Sequence, residues 1–296
     1  MRALEILSEA TEFLKNYGIE DAGRESEIII THCLGIDRTA FFRDNPEIPE
    51  KELKKIYELL KRRSGREPLQ YILGYVEFYG LKIKVGKGVL IPRPETELLA
   101  EVAIKIVTSY KLQVTSEYQD SSLSILDLCT GSGCLALALA KEFPDAKVYG
   151  TDTSENAIRY AKQNAESNGI KNVTFLKGSL FKPIKELSTN HFSLITFDLI
   201  VSNPPYIRKN DIKNLQPEIK DWEPVEALDG GEDGLDYYRT IIPESKGYVK
   251  EEGYLILEIG MGQSVDVRKL AVDSGFKEIS LIKDYTGIER ILIAIV

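Results

Sequence analysis

The chain has 296 residues, of which 38 are basic and 46 are acidic, so its formal charge is −8. Hydrophobic residues make up 43% and charged residues 28%, which is typical of a globular protein and excludes collagen-like, low-complexity and disordered chains. The length predicts about two domains, and the acidic balance argues against a protein that holds duplex nucleic acid by charge alone.

The cysteines and histidines are few, and they are Cys33, Cys129, Cys134, His32 and His191. An odd, sparse set of cysteines is no disulfide framework and is typical of a reducing compartment. The same scarcity argues against a zinc site, so we expect no metal. Three glutamates within the first twelve residues argue against a signal or transit peptide, and no apolar run approaches the roughly 20 residues of a membrane span. We expect a cytoplasmic protein.

Residues 1–73 are predicted to form a small helical bundle. Apolar residues recur at helical spacing in the first segment, and Gly18 follows as a stop signal. A second helix is predicted from Asp21, which can cap it, to Gly35. A third, longer helix begins near Pro49.

A basic cluster closes that third helix and consists of Lys61, Arg62, Arg63 and Arg66. Two interpretations are open. The cluster is either a solvated helix end that complements the helix dipole or a contact for an acidic or RNA-bearing partner.

Residues 74–94 are predicted to form a β-hairpin linker. The hydrophobic period changes here from helical spacing to alternation. Two prolines in Pro92–Pro94 then stiffen the chain before a helix over 95–110. Residues 95–296 form the predicted larger domain.

Strand and helix patterns alternate through the larger domain, and the strand-like runs are Leu123–Leu128, Lys147–Thr151, Val173–Lys177, Leu199–Ser202, Tyr254–Ile259, Ile279–Lys283 and Ile291–Ile295. This alternation predicts an α/β fold with a mostly parallel sheet covered on both faces. Only a short connection joins the last two strands, so that pair is predicted to be antiparallel.

A glycine-rich turn follows the first of these strands and reads Cys129, Thr130, Gly131, Ser132, Gly133. Glycines at a strand-to-helix turn let the backbone approach a ligand closely. Asp152 ends the second strand, where a carboxylate can accept hydrogen bonds from both hydroxyls of a ribose. This pair of features is equally compatible with a nicotinamide dehydrogenase, because Gly131–Ala136 also satisfies the dinucleotide pattern.

The fourth strand distinguishes between these chemistries, since Asn203, Pro204, Pro205 and Tyr206 follow it. The prolines lack N–H donors and make the loop rigid. A free Pro204 carbonyl, the Asn203 carboxamide and an aromatic face from Tyr206 form a slot for a planar group with an NH₂. A dehydrogenase has no use for such a slot.

These motifs resemble those of S-adenosylmethionine-dependent methyltransferases that modify amino groups conjugated to π systems. Further segments, over 67–74, 91–97, 223–235 and 257–263, are similar to the HemK/PrmC family over nearly the whole chain. The resemblance implies a Rossmann-like seven-stranded methyltransferase sheet with a small N-terminal helical domain.

The resemblance also implies a reaction. Members of this family methylate the side-chain amide nitrogen of the glutamine in the GGQ motif of class I peptide chain release factors, and S-adenosylhomocysteine is the product. The N-terminal helices are implied to hold the release factor. No membrane partner and no direct duplex nucleic-acid binding are expected.

Roles for individual residues follow from the same resemblance. The cofactor would contact Cys129, Thr130, Gly131, Ser132 and Gly133 with its methionine part, Asp152 with its ribose, and Ser179 and Leu180 with its adenine. Asn203 would lie between cofactor and substrate, and Pro204, Pro205 and Tyr206 would complete the glutamine slot. The Asn203 oxygen and the Pro204 carbonyl would each accept one N–H of the substrate amide.

Two positions depart from the family pattern. Glycine is commonest where Cys129 stands, so we expect Cys129 to take an ordinary backbone conformation. An acidic residue commonly occupies the position of Ser179, whose hydroxyl is a weaker acceptor.

Other interpretations stay open at this point. The segment 216–239 is either a mobile cover over the substrate or an ordered surface loop, and Glu223, Asp233 and Arg239 have no assigned role. The substrate could instead be a glutamine of a ribosomal protein or the N6 of a DNA adenine. A non-catalytic, cofactor-binding partner of the ribosome is a further alternative.

Overall fold

The computed structural model describes residues 1–113, 123–191 and 195–296. Its helices, in chain order, are α1 (Ala3–Asn16), α2 (Ala22–Leu34), α3 (Arg38–Asp44), α4 (Glu50–Ser64), α5 (Leu69–Leu73), α6 (Pro94–Gln113), α7 (Cys134–Glu142), α8 (Glu155–Ser167), α9 (Lys182–His191), α10 (Pro217–Lys220), α11 (Asp236–Ser245) and α12 (Ser264–Asp273). Its strands are β1 (Tyr75–Phe78), β2 (Leu81–Lys84), β3 (Ser124–Leu128), β4 (Lys147–Asp152), β5 (Val173–Lys177), β6 (Phe197–Ser202), β7 (Val249–Glu258), β8 (Glu278–Lys283) and β9 (Glu289–Ile295). None of the described helices is both long enough and apolar enough to cross a membrane.

The chain divides into two compact units. The first unit consists of Met1–Tyr75 together with Gln216–Trp222, and the second consists of Val76–Leu215 and Glu223–Val296. The domain boundaries predicted at residues 73 and 94 stay predictions.

The first unit is built from short helices around one apolar core. Fully buried side chains line the inner faces of its helices and include Ile6, Leu14, Ile29, Ile30, Phe41, Ile56 and Leu60. One predicted detail is wrong. Helix α2 begins directly after Asp21, but the Asp21 side chain caps no backbone N–H, because the backbone there (ψ of 35°) is not extended.

Three of the four residues in the basic cluster at the end of α4 pair with acidic residues of the first unit. Arg63 is only 5% exposed. It pairs with Glu25 and, at 2.9 Å, with Glu218, while Arg66 pairs with Glu218 at 2.8 Å. Arg62 pairs with Glu67. A buried guanidinium needs charged acceptors, so Arg63 in particular binds acidic residues of its own unit and is not part of the solvated helix end that the first interpretation assumed.

The second unit contains a seven-stranded sheet in the order β5-β4-β3-β6-β7-β9-β8. Strands β3 to β7 pair in parallel, and β9 pairs antiparallel with both β7 and β8. The seven predicted strands and the antiparallel final pair are therefore confirmed. The insertion of β9 between β7 and β8 was not predicted, because strand order depends on long-range pairing.

The register of the central strands brings the residues that follow them together. Leu128 of β3 pairs with both Thr151 and Ser202, and Ser202 pairs in turn with Leu257. The next residue on each strand is therefore at the same edge of the sheet, and neighbouring strands lie only about 4.8 Å apart. This row at the carboxyl edge consists of Asp152, Cys129, Asn203 and Glu258.

The predicted hairpin is present as β1 and β2. Its two-residue turn is formed by Tyr79 and Gly80, with φ of 47° and 68°. Positive φ at both central residues is the geometry that matches the twist of a tight antiparallel hairpin.

Candidate active site

A cavity of about 450 Å³ lies at the carboxyl ends of β3, β4, β5 and β6. The strand order reverses direction at β3, where β4 lies on one side and β6 on the other. Open α/β sheets bind ligands at such a switch point, and this volume is within the range of cofactor-sized pockets. A smaller cavity of about 40 Å³ shares Leu90, Cys129, Gly131 and Asn203 with it.

The glycine turn after β3 presents one open glycine and one enclosed glycine. Gly131 has a φ of +55°, and a Cβ added there would meet nothing within 4 Å. Gly133 has a φ of +80°, and a Cβ there would lie 2.9 Å from Phe175 and 3.0 Å from Ala161. The lack of a side chain at Gly133 therefore lets the turn pack against Phe175 and Ala161. The lack of one at Gly131 leaves the backbone there accessible to a ligand.

Asp127, which the sequence analysis did not single out, holds this turn in shape. Its Oδ2 accepts hydrogen bonds from the Thr130 hydroxyl (2.6 Å) and the Ala136 N–H (3.2 Å). Burial raises the pKa of Asp127 to about 7. A carboxylate in the apolar run of β3 is the sequence signal that could have revealed it.

A buried asparagine on α8 supports the turn from the other side. Asn164 donates to the Ser132 carbonyl at 2.9 Å and to the Lys84 carbonyl at 3.1 Å. The Lys84 N–H donates back to Asn164 at 2.7 Å. The hairpin strand β2 and the glycine turn are thus held by one side chain.

The expectation for Cys129 is wrong. Cys129 has a φ of +58°, in the left-handed region that favours glycine, and Leu180 on the opposite wall has a φ of +46°. The chain must turn sharply where it leaves β3, so this position needs the left-handed conformation whatever residue stands there. Such a conformation costs a non-glycine residue roughly 1–2 kcal/mol, and strain of this kind often accompanies functional sites.

Asp152 lies at the end of β4 and lines the larger cavity. Its two oxygens accept hydrogen bonds from the Gly131 N–H (2.9 Å) and the Ser154 N–H (2.8 Å). Burial raises the pKa of Asp152, and the bonds from the backbone N–H groups oppose that shift. Because a carboxylate offers about four lone-pair sites, this group retains acceptors for ligand hydroxyls.

Asn203 is the one residue of the predicted amide slot that lines both cavities. Its Nδ2 donates to the Thr96 hydroxyl at 2.9 Å. Pro204 and Pro205 are buried, and Pro205 contributes to the larger cavity. The rigidity that the two prolines predict for this loop stays a prediction.

Tyr206 faces the end of β7 instead of the cavities. Its hydroxyl donates to Glu258 Oε1 at 3.2 Å, while Thr96 donates to Glu258 Oε2 at 2.8 Å. Burial raises the pKa of Glu258 to about 7 and also raises the pKa of Tyr206. The contact of the Tyr206 ring with a substrate amide stays a prediction.

The glycine-rich stretch over 230–234 packs directly on the loop 203–206, which is called the catalytic loop below because of the role proposed for it. A Cβ at Gly230 would lie 2.8 Å from the Tyr206 backbone, and one at Gly234 would lie 2.5 Å from the Tyr206 carbonyl. The Gln263 side chain donates to the carbonyls of Tyr206 (2.9 Å) and Gly234 (3.2 Å). This part of the 216–239 segment therefore braces the loop, which favours the interpretation as an ordered element.

The three charged residues without an assigned role have structural partners. Glu223 is 5% exposed; it accepts from the Ile91 N–H at 3.1 Å and pairs with Arg93. Asp233, which precedes α11, forms an exposed ion pair with Arg239 of α11. Glu223 thus binds the segment before α6, and Leu90 of that segment lines both cavities.

The structure gathers most of the predicted site residues at one place. The larger cavity is lined by Cys129, Gly131, Asp152, Ser179, Leu180, Asn203 and Pro205, and the smaller one adds Thr130 and Ser132. Neither of these two cavities is lined by Gly133, Pro204 or Tyr206. Tyr237, which the sequence analysis missed, contributes an aromatic wall. Within the described ranges, no cluster of three histidine, cysteine or acidic side chains could hold a metal ion.

Family models match both parts of the chain. The PrmC N-terminal domain matches residues 5–74, and a methyltransferase domain matches residues 119–242. The release factor glutamine methyltransferase of Thermodesulfovibrio yellowstonii is 47% identical over 270 residues, which are 91% of each chain. The chain belongs to the release factor glutamine methyltransferase family. The predicted HemK/PrmC resemblance is confirmed.

Further relatives of the family match over a similar extent. The release factor glutamine methyltransferase of Geobacter sulfurreducens is 42% identical and covers 95% of this chain and 92% of its own. The enzyme of the same name from Clostridium acetobutylicum is 35% identical over 100% of this chain and 99% of its own.

Solved structures agree on the fold alone. The human Mettl16 catalytic domain, in complex with the MAT2A 3′UTR hairpin 6, has a TM-score of 0.53 at 14% identity and covers 73% of this chain and 76% of its own. The N-terminal domain of human METTL16 in complex with SAH has a TM-score of 0.50 at 16% identity, with the same coverage. The predicted Rossmann-like methyltransferase fold is confirmed.

Proposed function

We propose that this protein transfers a methyl group from S-adenosylmethionine to the side-chain amide nitrogen of the glutamine in the GGQ motif of class I release factors. The observation that carries the proposal is the placement of Asn203. Its carboxamide lines both cavities at the end of β6, beside the row of residues that ends β3 and β4. Family membership supports the same reaction and substrate.

The larger cavity fits the proposed cofactor. The open backbone at Gly131 accepts close approach, Asp152 supplies acceptors for ribose hydroxyls, and Leu180 supplies an apolar wall. When bound, the cofactor supplies an electrophilic methyl group on a sulfonium. We assign Cys129, Thr130, Ser132 and Gly133 to the same cradle, and Ser179 to its far end.

The amide slot orients the nucleophile. An amide nitrogen is a poor nucleophile because its lone pair is delocalised, so positioning has to supply much of the rate enhancement, up to roughly 7–11 kcal/mol. The Asn203 Oδ1 and the Pro204 carbonyl each accept one N–H of the substrate amide. These two acceptors become stronger partners as positive charge develops on that nitrogen. The proton leaves to water, so no strong base is needed.

The first unit is proposed as the docking domain for the release factor. Its exposed large apolar side chains, namely Leu4, Phe13, Tyr17, Phe42 and Tyr57, would be available for contact with such a partner. Because the proposed partner is a translation factor, we place the reaction in the cytoplasm.

The test is mass spectrometry of a GGQ-containing release factor after incubation with the protein and S-adenosylmethionine. The expected product carries one added methyl group on the GGQ glutamine, and total ribosomal protein serves as the comparison substrate. Methylation of a ribosomal protein with an unmodified release factor would reject the proposed substrate.

Two variants separate the proposed roles within the site. Asn203→Ala is expected to reduce kcat about 10²–10³-fold, the usual loss for an oriented polar group in a transition state, with little change in the Kd for S-adenosylhomocysteine. Asp152→Ala is expected to weaken that Kd instead. Asn210→Ala, at an exposed position in the 3-10 helix that follows the catalytic loop, is the matched control. A normal kcat for Asn203→Ala would exclude the mechanism.

A further inference from the structure

A hydrogen-bonded chain behind the catalytic loop ends on a buried carboxylate that the proposed methyl transfer does not use. Glu258, the last residue of β7, is 1% exposed, and Thr96, in the first turn of α6, is 3% exposed. Two hydroxyl groups hold this carboxylate, those of Thr96 and Tyr206. Arg290, the nearby cation, pairs with Asp284 at 3.1 Å. Burial of a carboxyl group costs free energy of folding, so we expect this carboxyl group to have a function.

The charge state of Glu258 determines which group donates in each of these hydrogen bonds. Ionised Glu258 can only accept, so Thr96 gives its single hydroxyl proton to Glu258 Oε2 at 2.8 Å. The Thr96 oxygen then has only lone pairs left for Asn203, and it accepts from Nδ2 at 2.9 Å. With its nitrogen held on this side, the Asn203 carboxamide turns its oxygen the other way.

Protonation of Glu258 would permit each of these hydrogen bonds to run in the opposite direction. A protonated Glu258 can donate to Thr96, whose own proton is then free to be given to an Asn203 oxygen. The carboxamide would rotate and present its NH₂ to the substrate. Two NH₂ groups facing each other cannot form the required hydrogen bond.

We propose that Thr96 and Glu258 are positioning residues for methyl transfer, which orient the Asn203 carboxamide so that its oxygen faces the substrate amide. The proposal rests on the proposed function of Asn203 and adds to it the reason why that side chain adopts the productive orientation. Neither Thr96 nor Glu258 needs to contact the substrate.

The surroundings of Glu258 make its charge responsive to pH. The groups that act on it are Glu95 of α6, Arg290 of β9 and Tyr206 of the catalytic loop, with Tyr238 of α11 and Cys134 of α7 also nearby. Burial outweighs the others and raises the pKa of Glu258 to about 7. Acidification below this value is therefore expected to remove the orientation of Asn203.

The decisive variant is Thr96→Val, which keeps the shape and removes the hydroxyl. At pH 8.5 we expect kcat to fall on the order of tenfold to a hundredfold, the loss typical of a misplaced catalytic group. The Kd for S-adenosylhomocysteine should stay within about twofold, while Thr96→Ser should stay near wild type. Thr108→Val, the same change at an exposed position of α6, is the matched control.

Two further measurements distinguish orientation from general damage. The kcat ratio of wild type to Thr96→Val should shrink about tenfold between pH 8.5 and pH 6, because about nine-tenths of a group with a pKa near 7 is protonated at pH 6. Added to Asn203→Ala, Thr96→Val should cause no further loss, since both act through one side chain. A kcat within twofold of wild type, a constant ratio, or full additivity would overturn the proposal.

A spectroscopic readout tests the chain of bonds without turnover. In the cofactor-free protein, the ¹⁵N–¹H signal of the Asn203 NH₂, assigned by its loss in Asn203→Ala, should shift in Thr96→Val and stay in place in Thr108→Val. If Thr96→Val does not fold, Glu258→Gln should shift the same signal. An unmoved signal overturns the proposal, whereas a wild-type protein that does not methylate a release factor overturns only the proposed function.

Discussion

Replacing Glu258 with glutamine tests the physical basis of the site through protein stability. The side chain is 1% exposed, and burial raises its pKa from 4.5 to about 7. Glutamine has nearly the same size and carries no charge at any pH. The substitution therefore removes one buried titration and leaves the shape of the end of β7 intact.

The sign of the effect follows from proton linkage. Between pH 4.5 and 7 the folded protein holds a proton on Glu258 that the unfolded chain has already released. The stability that this proton contributes is fully present below pH 4.5 and is lost as the pH rises through 7. The rise of this pKa from 4.5 to about 7 corresponds to about 3 kcal/mol of the free energy of unfolding.

The assay is urea unfolding of wild type and Glu258→Gln, followed by far-UV circular dichroism at several pH values between 4.5 and 8. The difference in the free energy of unfolding should move in favour of the variant by up to about 3 kcal/mol as the pH rises. Asp127 titrates in the same range, but it is present in both proteins and cancels. Glu251→Gln, at an exposed position of β7, should show no such trend. A difference that is independent of pH, or that moves in favour of wild type as the pH rises, would refute the reasoning.

Two further predictions concern packing. Gly133→Ala is expected to destabilise the protein by about 3 kcal/mol or more, because its Cβ would lie 2.9 Å from Phe175 in a left-handed conformation. Gly131→Ala, in open space, should cost only about 1–2 kcal/mol. Thermal unfolding of both variants compares the two losses of stability, and equal losses would contradict the geometry. Arg63→Met should destabilise the first unit by about 3 kcal/mol, since it leaves the partly buried Glu25 carboxylate without its cation and leaves Glu218 paired with Arg66 alone. Arg43→Met, at an exposed ion pair, should change the free energy of unfolding by less than about 1 kcal/mol. Urea unfolding followed by the fluorescence of the single tryptophan, which lies in the first unit, measures this effect.

The predicted parts of the site share one property: each depends on local sequence. The strand patterns end at Asp152 and Asn203, and parallel strands place their carboxyl ends at one edge. Gly131 and Gly133 indicate already in the sequence that this turn needs backbone conformations that favour glycine. Hydrophobic periodicity is a near-neighbour signal, so it predicted all seven strands of the sheet.

The contacts that shape the site join residues far apart in the chain, and no local pattern specifies them. Thr96 meets Glu258 across 162 positions, and Glu223 meets Ile91 across 132. The row of strand ends depends on which strands are neighbours, and the place of β9 inside the sheet was open until the pairing was known.

At Cys129, the sequence predicts one property of the residue and the tertiary structure determines another. The sequence by itself identified Cys129 as part of the ligand turn, because it follows a buried strand and precedes the glycines. Its left-handed conformation follows from the direction in which the chain must leave β3 to reach α7. Periodicity and turn chemistry act over a few residues and can be predicted from the sequence alone. Pairing, burial and charge state depend on which distant groups meet in the folded protein, and the tertiary structure alone determined them.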